Sequence, residues 1–253
     1  MSVAWLAADW AAPANVRAGT TLRGGGVSTG ACATLNLAAH VGDDPEAVQE
    51  NRRRFAAACG LPSEPLWLEQ VHGTRVATAE DFAGAPADAL VTGRPGVVCV
   101  VLTADCLPVV LAADDGSEIG VAHAGWRGLA GGILEATVAR FEVPPARLLA
   151  WLGPAISQPA FEVGGEVRDA LMRGDPDAYR CFLPNARGRW QADLYGLARR
   201  RLARLGVASV AGGGRCTFGE PDAFFSYRRD GGCGRMATFV YRTGDAGEQG
   251  QGA

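Results

Sequence analysis

Three side chains with strong metal affinity occur at separate points in the first half of the chain. They are His72 in "LEQVHGTRV", Cys106 in "LTADCLPVV" and His123 in "GVAHAGWRG". One thiolate and two imidazoles suit Zn²⁺, which prefers nitrogen and sulfur donors in a tetrahedron, and a catalytic zinc site leaves the fourth position to water. The spacing matches no compact zinc motif, so these residues predict a metal site only if the fold brings them together.

The same residues allow other interpretations. Cys106 can act as a nucleophile with a histidine as its base, and Asp105 or another acid can orient that base. A buried structural cysteine beside two hydrogen-bonded histidines needs no catalysis at all. Residue types and spacing leave these alternatives open, because a metal-bound thiolate and a nucleophilic thiolate have the same sequence signature.

The glycine-rich segment "FFSYRRDGGCGRM" combines aromatic rings with arginines. Phe225 and Tyr227 can stack on a planar ring, and the guanidinium groups of Arg228 and Arg229 can hold a phosphate. A strand edge with exposed arginines is the alternative. The glycine clusters match neither the dinucleotide fingerprint nor a phosphate loop ending in Gly-Lys-Ser/Thr.

The candidate residues lie where β-rich segments give way to loops, which is where sheet proteins usually place their sites. Predicted strands are "PLWLEQV", "RVATA", "DALVT", "VVCVVLT", "PVVLAA", "EIGVAHA", "RLLAWLG" and "ATFVYR". Helices are predicted over 43–62, 125–141 and 193–207, the first with Asp44 as N-cap and Gly60 at its end. Strands mixed with helices, without strict alternation, predict an α+β or mixed α/β fold in one domain.

The composition is that of a globular protein with no electrostatic reason to bind nucleic acid or a membrane surface. Of 253 residues 48% are hydrophobic, and the formal net charge is −3. The 24 basic residues are all arginine, which excludes a Schiff-base lysine and a lysine-containing phosphate loop. The first residues lack the pattern of a signal peptide, and seven scattered cysteines without CxxC spacing favour a reducing cytoplasm.

Eight consecutive motifs make the chain resemble one family. They include "WLEQVHGT", "LTADCLPVVL", "GVAHAGWRGL" and "FFSYRRDGGCGRMATFVY", and the likeness runs from about Gly24 to Tyr241. The family is known as polyphenol oxidase or laccase-domain proteins, as purine nucleoside phosphorylases of the laccase-domain type and, in some bacteria, as peptidoglycan editing factors. The resemblance implies a cytoplasmic, single-domain, layered α/β/β/α architecture with mixed sheets, here over 1–242, before a tail at 243–253 whose composition predicts disorder.

The resemblance also implies a zinc site made by His72, Cys106 and His123. The implied activity is phosphorolysis of adenosine, inosine and S-methyl-5′-thioadenosine to the free base and (methylthio)ribose 1-phosphate, together with adenosine deamination. A zinc or cysteine hydrolase that edits a peptidoglycan precursor is the alternative. Copper-dependent polyphenol oxidation is disfavoured, because three histidines cannot build a type-1 site and a three-copper cluster together. Cu²⁺ remains the alternative occupant of the zinc site.

These considerations assign expected roles. The set for the reaction itself is His72, Cys106, His123, Asp105 and Arg127. The set for substrate binding is Asn36, His40, Arg75, Phe225, Tyr227, Arg228 and Arg229. Phosphate is expected to bind among Arg127, Arg75, Arg228 and Arg229, and the proton carrier is expected to be Asp105 or Glu69.

His40 decides whether the metal site is closed or open. A structural zinc site normally has four protein ligands, whereas a pocket-lining His40 leaves room for water, and we favour the second arrangement. The expected partners are a purine nucleoside and phosphate, without nucleic acid or membrane. The expected assembly is a monomer or a small homo-oligomer.

Overall fold

The computed structural model of the chain describes residues 2–82 and 86–244. Positions 245–253 of the predicted tail lie outside the described residues. The strands are β1 (Trp5–Ala7), β2 (Val16–Thr21), β3 (Leu66–Trp67), β4 (Val76–Thr78), β5 (Ala89–Thr92), β6 (Val98–Thr103), β7 (Leu107–Ala113), β8 (Ile119–Ala124), β9 (Leu148–Leu152), β10 (Glu162–Val163), β11 (Phe182–Pro184), β12 (Trp190–Ala192), β13 (Ser209–Gly212) and β14 (Met236–Arg242). The helices are α1 (Pro45–Cys59), α2 (Trp126–Gly131), α3 (Ile133–Val138), α4 (Gly165–Met172), α5 (Leu194–Leu205) and α6 (Tyr227–Asp230).

Two mixed sheets carry most of the fold. The first has the strand order β1-β2-β14-β6-β3, and the second has the order β13-β9-β7-β8-β5-β4. Strand pairs β3–β6, β4–β5 and β9–β13 are parallel, and the other pairs in these two sheets are antiparallel. The chain passes from the first sheet to the second in the short turn between β6 and β7. A third sheet, of order β10-β12-β11, is small.

The side-chain alternation of β6 shows why the two sheets stack. Val100 and Leu102 pack into a cluster with Phe55 of α1, whereas Cys99 and Val101 enter the core between the sheets. Successive side chains of a strand point to opposite faces, so a strand that is apolar at every position is buried on both. The run "VVCVVLT" therefore belongs to a covered interior strand.

The outer face of the second sheet carries helices α2 to α5. Leu107 and Val109 of β7 join a cluster with Leu129 of α2, Ile133 of α3 and Leu197 of α5. With α1 on the outer face of the first sheet, the layers are helix, sheet, sheet and helix. The predicted mixed α/β fold with α/β/β/α layers is confirmed.

The predicted start and end of α1 are confirmed, and the prediction for the segment 125–141 is corrected. The Asp44 side chain accepts a hydrogen bond from the Glu46 amide at the start of α1, and Gly60 ends that helix in the left-handed conformation. The segment predicted as one helix over 125–141 forms two, because Gly132 has φ +100°. A glycine at this φ ends a helix. The described residues include no helix long and apolar enough to cross a membrane.

Candidate metal and substrate site

The fold brings the three predicted metal-binding residues together. The ligand atoms of His72, Cys106 and His123 all lie within 4.8 Å of one another. The Cys106 Sγ lies 3.8 Å from the His72 Nε2, and the two imidazole rings meet edge to face with centroids 4.7 Å apart. This nitrogen and sulfur donor set suits zinc, and among the described residues the cluster does not include His40. The cluster therefore has the three-ligand composition of an open zinc site.

Strand register places two of the ligands side by side. Strands β7 and β8 are antiparallel, with Leu107 opposite Ala124 and Pro108 opposite His123. Cys106 directly precedes β7, so it lies beside the end of β8. A Cβ added at Gly125 would lie 2.9 Å from the Cys106 Sγ and 3.2 Å from the His72 Cδ2. The absence of a side chain at Gly125 is what lets the thiol and imidazole approach.

His72 comes from a loop whose conformation is held by a buried carboxylate. His72 has φ +61°, which is uncommon outside glycine. Asp88 accepts backbone hydrogen bonds from Val71 at 3.2 Å, His72 at 2.9 Å and Gly73 at 2.7 Å. These three bonds offset the unfavourable backbone conformation and fix the position of the His72 ring.

The same carboxylate orients the second imidazole. Asp88 is fully buried, and its Oδ1 lies 2.8 Å from the His123 Nδ1. A carboxylate on one ring nitrogen fixes the tautomer and leaves Nε2 for a metal. Burial would raise the pKa of Asp88, but the hydrogen bonds from His123 and from the Gly73 amide outweigh it and lower that pKa. Asp88 was missed at the sequence level, although a single acid between alanines at the start of a buried strand was a usable signal.

The thiol and the buried imidazole stabilise each other's charged forms. Burial would raise the pKa of Cys106, but the charge of His123 and hydrogen bonds from both histidines lower it to about 6. Burial would lower the pKa of His123, whereas Cys106 and Asp88 together raise it. A thiolate is the form that binds a metal, so the environment of Cys106 favours coordination.

The cluster borders a cavity of about 280 Å³. Its lining residues are His40, Gln70, His72, Leu102, Thr103, Ala104, Asp105, Cys106, His123, Ile156, Phe161, Tyr227, Arg228 and Arg235. The cavity thus combines aliphatic side chains, aromatic rings, two guanidinium groups and the metal cluster. This mixture is typical of a small-molecule site.

Asp105 reaches the cavity with both carboxylate oxygens already hydrogen-bonded. Its Oδ1 accepts from the Thr217 hydroxyl and its Oδ2 from the Arg228 amide, both at 2.6 Å. The residue has φ +88° and lies next to Cys106. These contacts favour a supporting role, in which Asp105 joins the turn between β6 and β7, which carries Cys106, to α6. The other proton-carrier candidate, Glu69, is exposed and is not among the lining residues.

Three predicted arginines are not among the lining residues. Arg127 is exposed, with its guanidinium 4.4 Å from the centroid of the Trp126 ring. Arg75 donates to the Pro86 carbonyl, and Arg229 donates to three backbone carbonyls. Their predicted roles in phosphate binding stay predictions without support from the position of their side chains.

Two further predicted residues act through a neighbour. Phe225 is fully buried, with the Arg23 guanidinium 4.7 Å from its ring centroid. The Asn36 side chain is also buried, and its Oδ1 accepts from the Arg235 amide at 3.0 Å. The lining residues Arg235, which lies in the glycine-rich segment, and Phe161 were not predicted for the site.

The sequence profile of the family described as multi-copper polyphenol oxidoreductase laccase matches residues 17–243. The chain belongs to this family. The family resemblance inferred from the eight motifs is therefore confirmed. The description does not bring multicopper chemistry with it, because the chain has only three histidines.

Similar proteins span almost the same length. Purine nucleoside phosphorylase PA4543 of Pseudomonas aeruginosa is 52% identical over 239 residues, covering 94% of this chain and 98% of that protein. Purine nucleoside phosphorylase YfiH of Escherichia coli is 52% identical over 235 residues, covering 92% and 96%. The crystal structure of the Neisseria meningitidis protein NMB0706 superimposes with a TM-score of 0.91 at 50% identity, covering 95% and 99%.

Proposed function

We propose that this protein is a zinc-dependent purine nucleoside phosphorylase acting on adenosine, inosine and S-methyl-5′-thioadenosine. The observation that supports it best is the meeting of a three-ligand His-Cys-His cluster with one cavity that also carries aromatic and cationic side chains. The names of the relatives from Pseudomonas aeruginosa and Escherichia coli agree with it. A cytoplasmic location is part of the proposal.

The proposed reaction needs three kinds of group. A phosphate oxygen bonds to C1′ of the ribose while the C1′–N9 bond breaks. The purine leaves with the electron pair of that bond and takes up a proton, and the sugar leaves as ribose 1-phosphate. The site must therefore hold an anion, a planar base and a sugar in one orientation, which lowers the entropic part of the barrier.

The residues of the cavity match these needs. Phe161 and Tyr227 offer ring faces to a purine, and Arg228 offers a cation for the phosphate. His72, Cys106 and His123 would hold the zinc ion, which supplies Lewis-acid charge at this wall of the cavity. Asp105 holds the Arg228 amide in a fixed position relative to the turn that carries Cys106.

Adenosine deamination is the second proposed activity. Zinc deaminases use histidine and cysteine ligands with a glutamate that carries protons. The donor set here is of the same kind, with His40 lining the cavity outside the ligand cluster. Asp105 is the one carboxylate among the lining residues, and both its oxygens are engaged. That engagement ranks deamination below phosphorolysis.

Product analysis tests both activities. Protein of measured zinc content is incubated with adenosine, with and without phosphate, and the products are separated. Adenine with ribose 1-phosphate, formed only with phosphate, is the expected result, and inosine would report deamination. His123→Ala is expected to lose zinc and both activities. Absence of both products from zinc-loaded protein, or full activity in that variant, would contradict the proposal.

A further inference from the structure

We propose that Arg228 and Arg235 form the anion subsite that holds the phosphate co-substrate in this cavity. This assignment rests on the proposed function and adds the residues that bind its second substrate. It replaces Arg127, Arg75 and Arg229 with a pair that includes one arginine the sequence did not select.

Several arginines of the described residues form close ion pairs away from the cavity. Arg147, Arg200 and Arg229, for example, each contact a carboxylate oxygen at 2.7 Å. In the described part of the chain, neither Arg228 nor Arg235 forms an ion pair with a carboxylate. Both line the cavity. The cavity therefore presents two guanidinium groups that form no ion pair with an acid, and its one lining carboxylate, Asp105, contacts the Arg228 amide instead.

Each of the two guanidinium groups also has N–H donors that bind no acceptor among the described residues. Arg228 donates through Nη1 to the Glu162 carbonyl at 2.9 Å, and Arg235 donates through Nη1 to the carbonyls of Cys233 and Gly234. Within residues 2–82 and 86–244, their side-chain bonds involve no other nitrogen. A guanidinium carries five N–H donors, so Nε and Nη2 of both remain for an oxyanion.

Aromatic stacking and backbone contacts hold the two side chains in place. The Arg228 guanidinium lies 5.3 Å from the Phe161 centroid, and the Arg235 guanidinium lies 5.8 Å from the Tyr227 centroid. The Arg228 amide is bound by Asp105 at 2.6 Å. Pre-ordered cations bind an anion at a lower entropic cost than free side chains.

The backbone at Arg235 is also held in place by its neighbours. Its amide donates to the Asn36 Oδ1, and a Cβ at Gly234 would lie 2.7 Å from the Phe225 ring and 2.9 Å from the Asn36 Cβ. Asn36 and Phe225 thus act as positioning residues for Arg235. This explains why these two buried residues belong to the set that the sequence analysis assigned to substrate binding.

The lowered pKa of His40 is a further sign of positive charge in this part of the cavity. It lines the cavity, and burial together with the charges of Arg235 and Arg52 lowers its pKa. A neutral imidazole can donate one hydrogen bond without adding charge. The other titratable groups that line the cavity are Asp105, whose carboxylate is already hydrogen-bonded, Tyr227, and the cluster of His72, Cys106 and His123.

Direct binding of inorganic phosphate tests the subsite without relying on turnover. Phosphate is titrated into zinc-loaded protein by calorimetry at constant ionic strength, in the wild type and in Arg228→Gln and Arg235→Gln. Each substitution is expected to weaken binding about tenfold or more, since a hydrogen bond to a charged group is lost. Arg→Lys at each position keeps the charge but loses the fork, so an intermediate affinity is expected.

The matched control is Arg94→Gln, an exposed arginine before β6, whose opposite end meets the cavity. It is expected to bind phosphate like the wild type. In turnover assays, Arg235→Gln should raise the KM for phosphate about tenfold and change the KM for nucleoside less than threefold. Circular dichroism and zinc content establish that each variant is folded.

The outcomes separate the two proposals. Unchanged phosphate affinity in both glutamine variants, or an equal loss in Arg94→Gln, overturns the subsite. Loss in Arg127→Gln instead returns the role to the arginine that the sequence ranked first. A wild type that binds phosphate through Arg228 and Arg235, but releases no base from nucleosides, supports the subsite and overturns the phosphorylase.

Discussion

Two buried aspartates next to the His-Cys-His cluster have different hydrogen-bond partners. The Asp88 carboxylate binds three successive backbone amides and the His123 ring, so all its hydrogen bonds go to residues of the His-Cys-His cluster or to their neighbours. Asp105 follows the opposite pattern. It is adjacent to the ligand Cys106, yet its carboxylate binds Thr217 and the first turn of α6. Proximity in the sequence to Cys106 therefore does not identify the acid that orients the two histidines.

The largest expected effect is that of Asp88→Asn. An amide removes the negative charge and places an NH₂ group where an acceptor is needed, so both histidines lose their fixed orientation. Zinc affinity should fall about 10- to 100-fold, as is typical when a group that orients a ligand is lost. Competition with a coloured chelator measures it. Asp105→Asn is the matched control, and an equal loss of zinc affinity there would remove the distinction between the two acids.

Asp105→Asn should instead affect substrate turnover. It weakens the hydrogen bonds that hold Arg228 and α6 against the turn that carries Cys106. Each hydrogen bond to a carboxylate contributes about 1.5 to 3 kcal/mol. We expect kcat/KM to fall about tenfold or more while zinc content stays the same. Thr217→Val removes one of the two bonds and should give a smaller loss. Unchanged kcat/KM in Asp105→Asn would contradict the supporting role.

Gly125→Ala tests how closely the ligands on the Asp88 side are packed. The new methyl group would lie 2.9 Å from the Cys106 Sγ, so the thiol or the His72 ring must move. A several-fold loss of zinc affinity is expected, because overpacking displaces groups that need defined geometry. Gly214→Ala is the control, since no atom lies within 4 Å of the added carbon there. Equal affinity in the two variants would show that the ligands tolerate the shift.

Thiol alkylation gives the smallest and most direct readout of the contrast. In zinc-free protein Cys106 should react with iodoacetamide at a rate that falls as the pH drops below about 6, where its thiolate is protonated. Asp88→Asn weakens the charge on His123 and should raise the pKa of Cys106. A rise of one unit slows the reaction about twofold at pH 7.

The alkylation experiment has two controls. Asp105→Asn should leave the rate unchanged, and added zinc should protect the thiol. A Cys216→Ser background removes the other partly exposed cysteine whose pKa is also lowered. A slower reaction in Asp105→Asn than in Asp88→Asn would reverse the comparison.

Local patterns were sufficient for the predictions that depended on near neighbours. The start and end of α1 follow from Asp44 and Gly60, because helix caps are made by adjacent residues. The continuous apolar run "VVCVVLT" predicted a strand for the same reason. The segment 125–141 was predicted as one helix, but Gly132, with φ +100°, divides it in two. A glycine permits that backbone conformation without requiring it.

The residues missed at the site all depend on contacts between distant segments. Asp88 meets His72 and His123, which lie 16 and 35 positions away. Arg235 is positioned by Asn36, 199 positions away, and the Phe161 ring meets the guanidinium of Arg228, 67 positions away. No spacing rule covers such pairs, because sheet register and the turn between β6 and β7 decide which loops meet.

The sequence by itself determined the fold class, the family and the three side chains suited to zinc, since residue types and strand ends are local properties. The tertiary structure decided the rest. It grouped the ligands, left His40 on the cavity wall, turned Asp105 toward α6 and selected Arg228 and Arg235 from 24 arginines as those facing the cavity. The physical reason is that charge balance, burial and hydrogen-bond saturation belong to a side chain's neighbours in space.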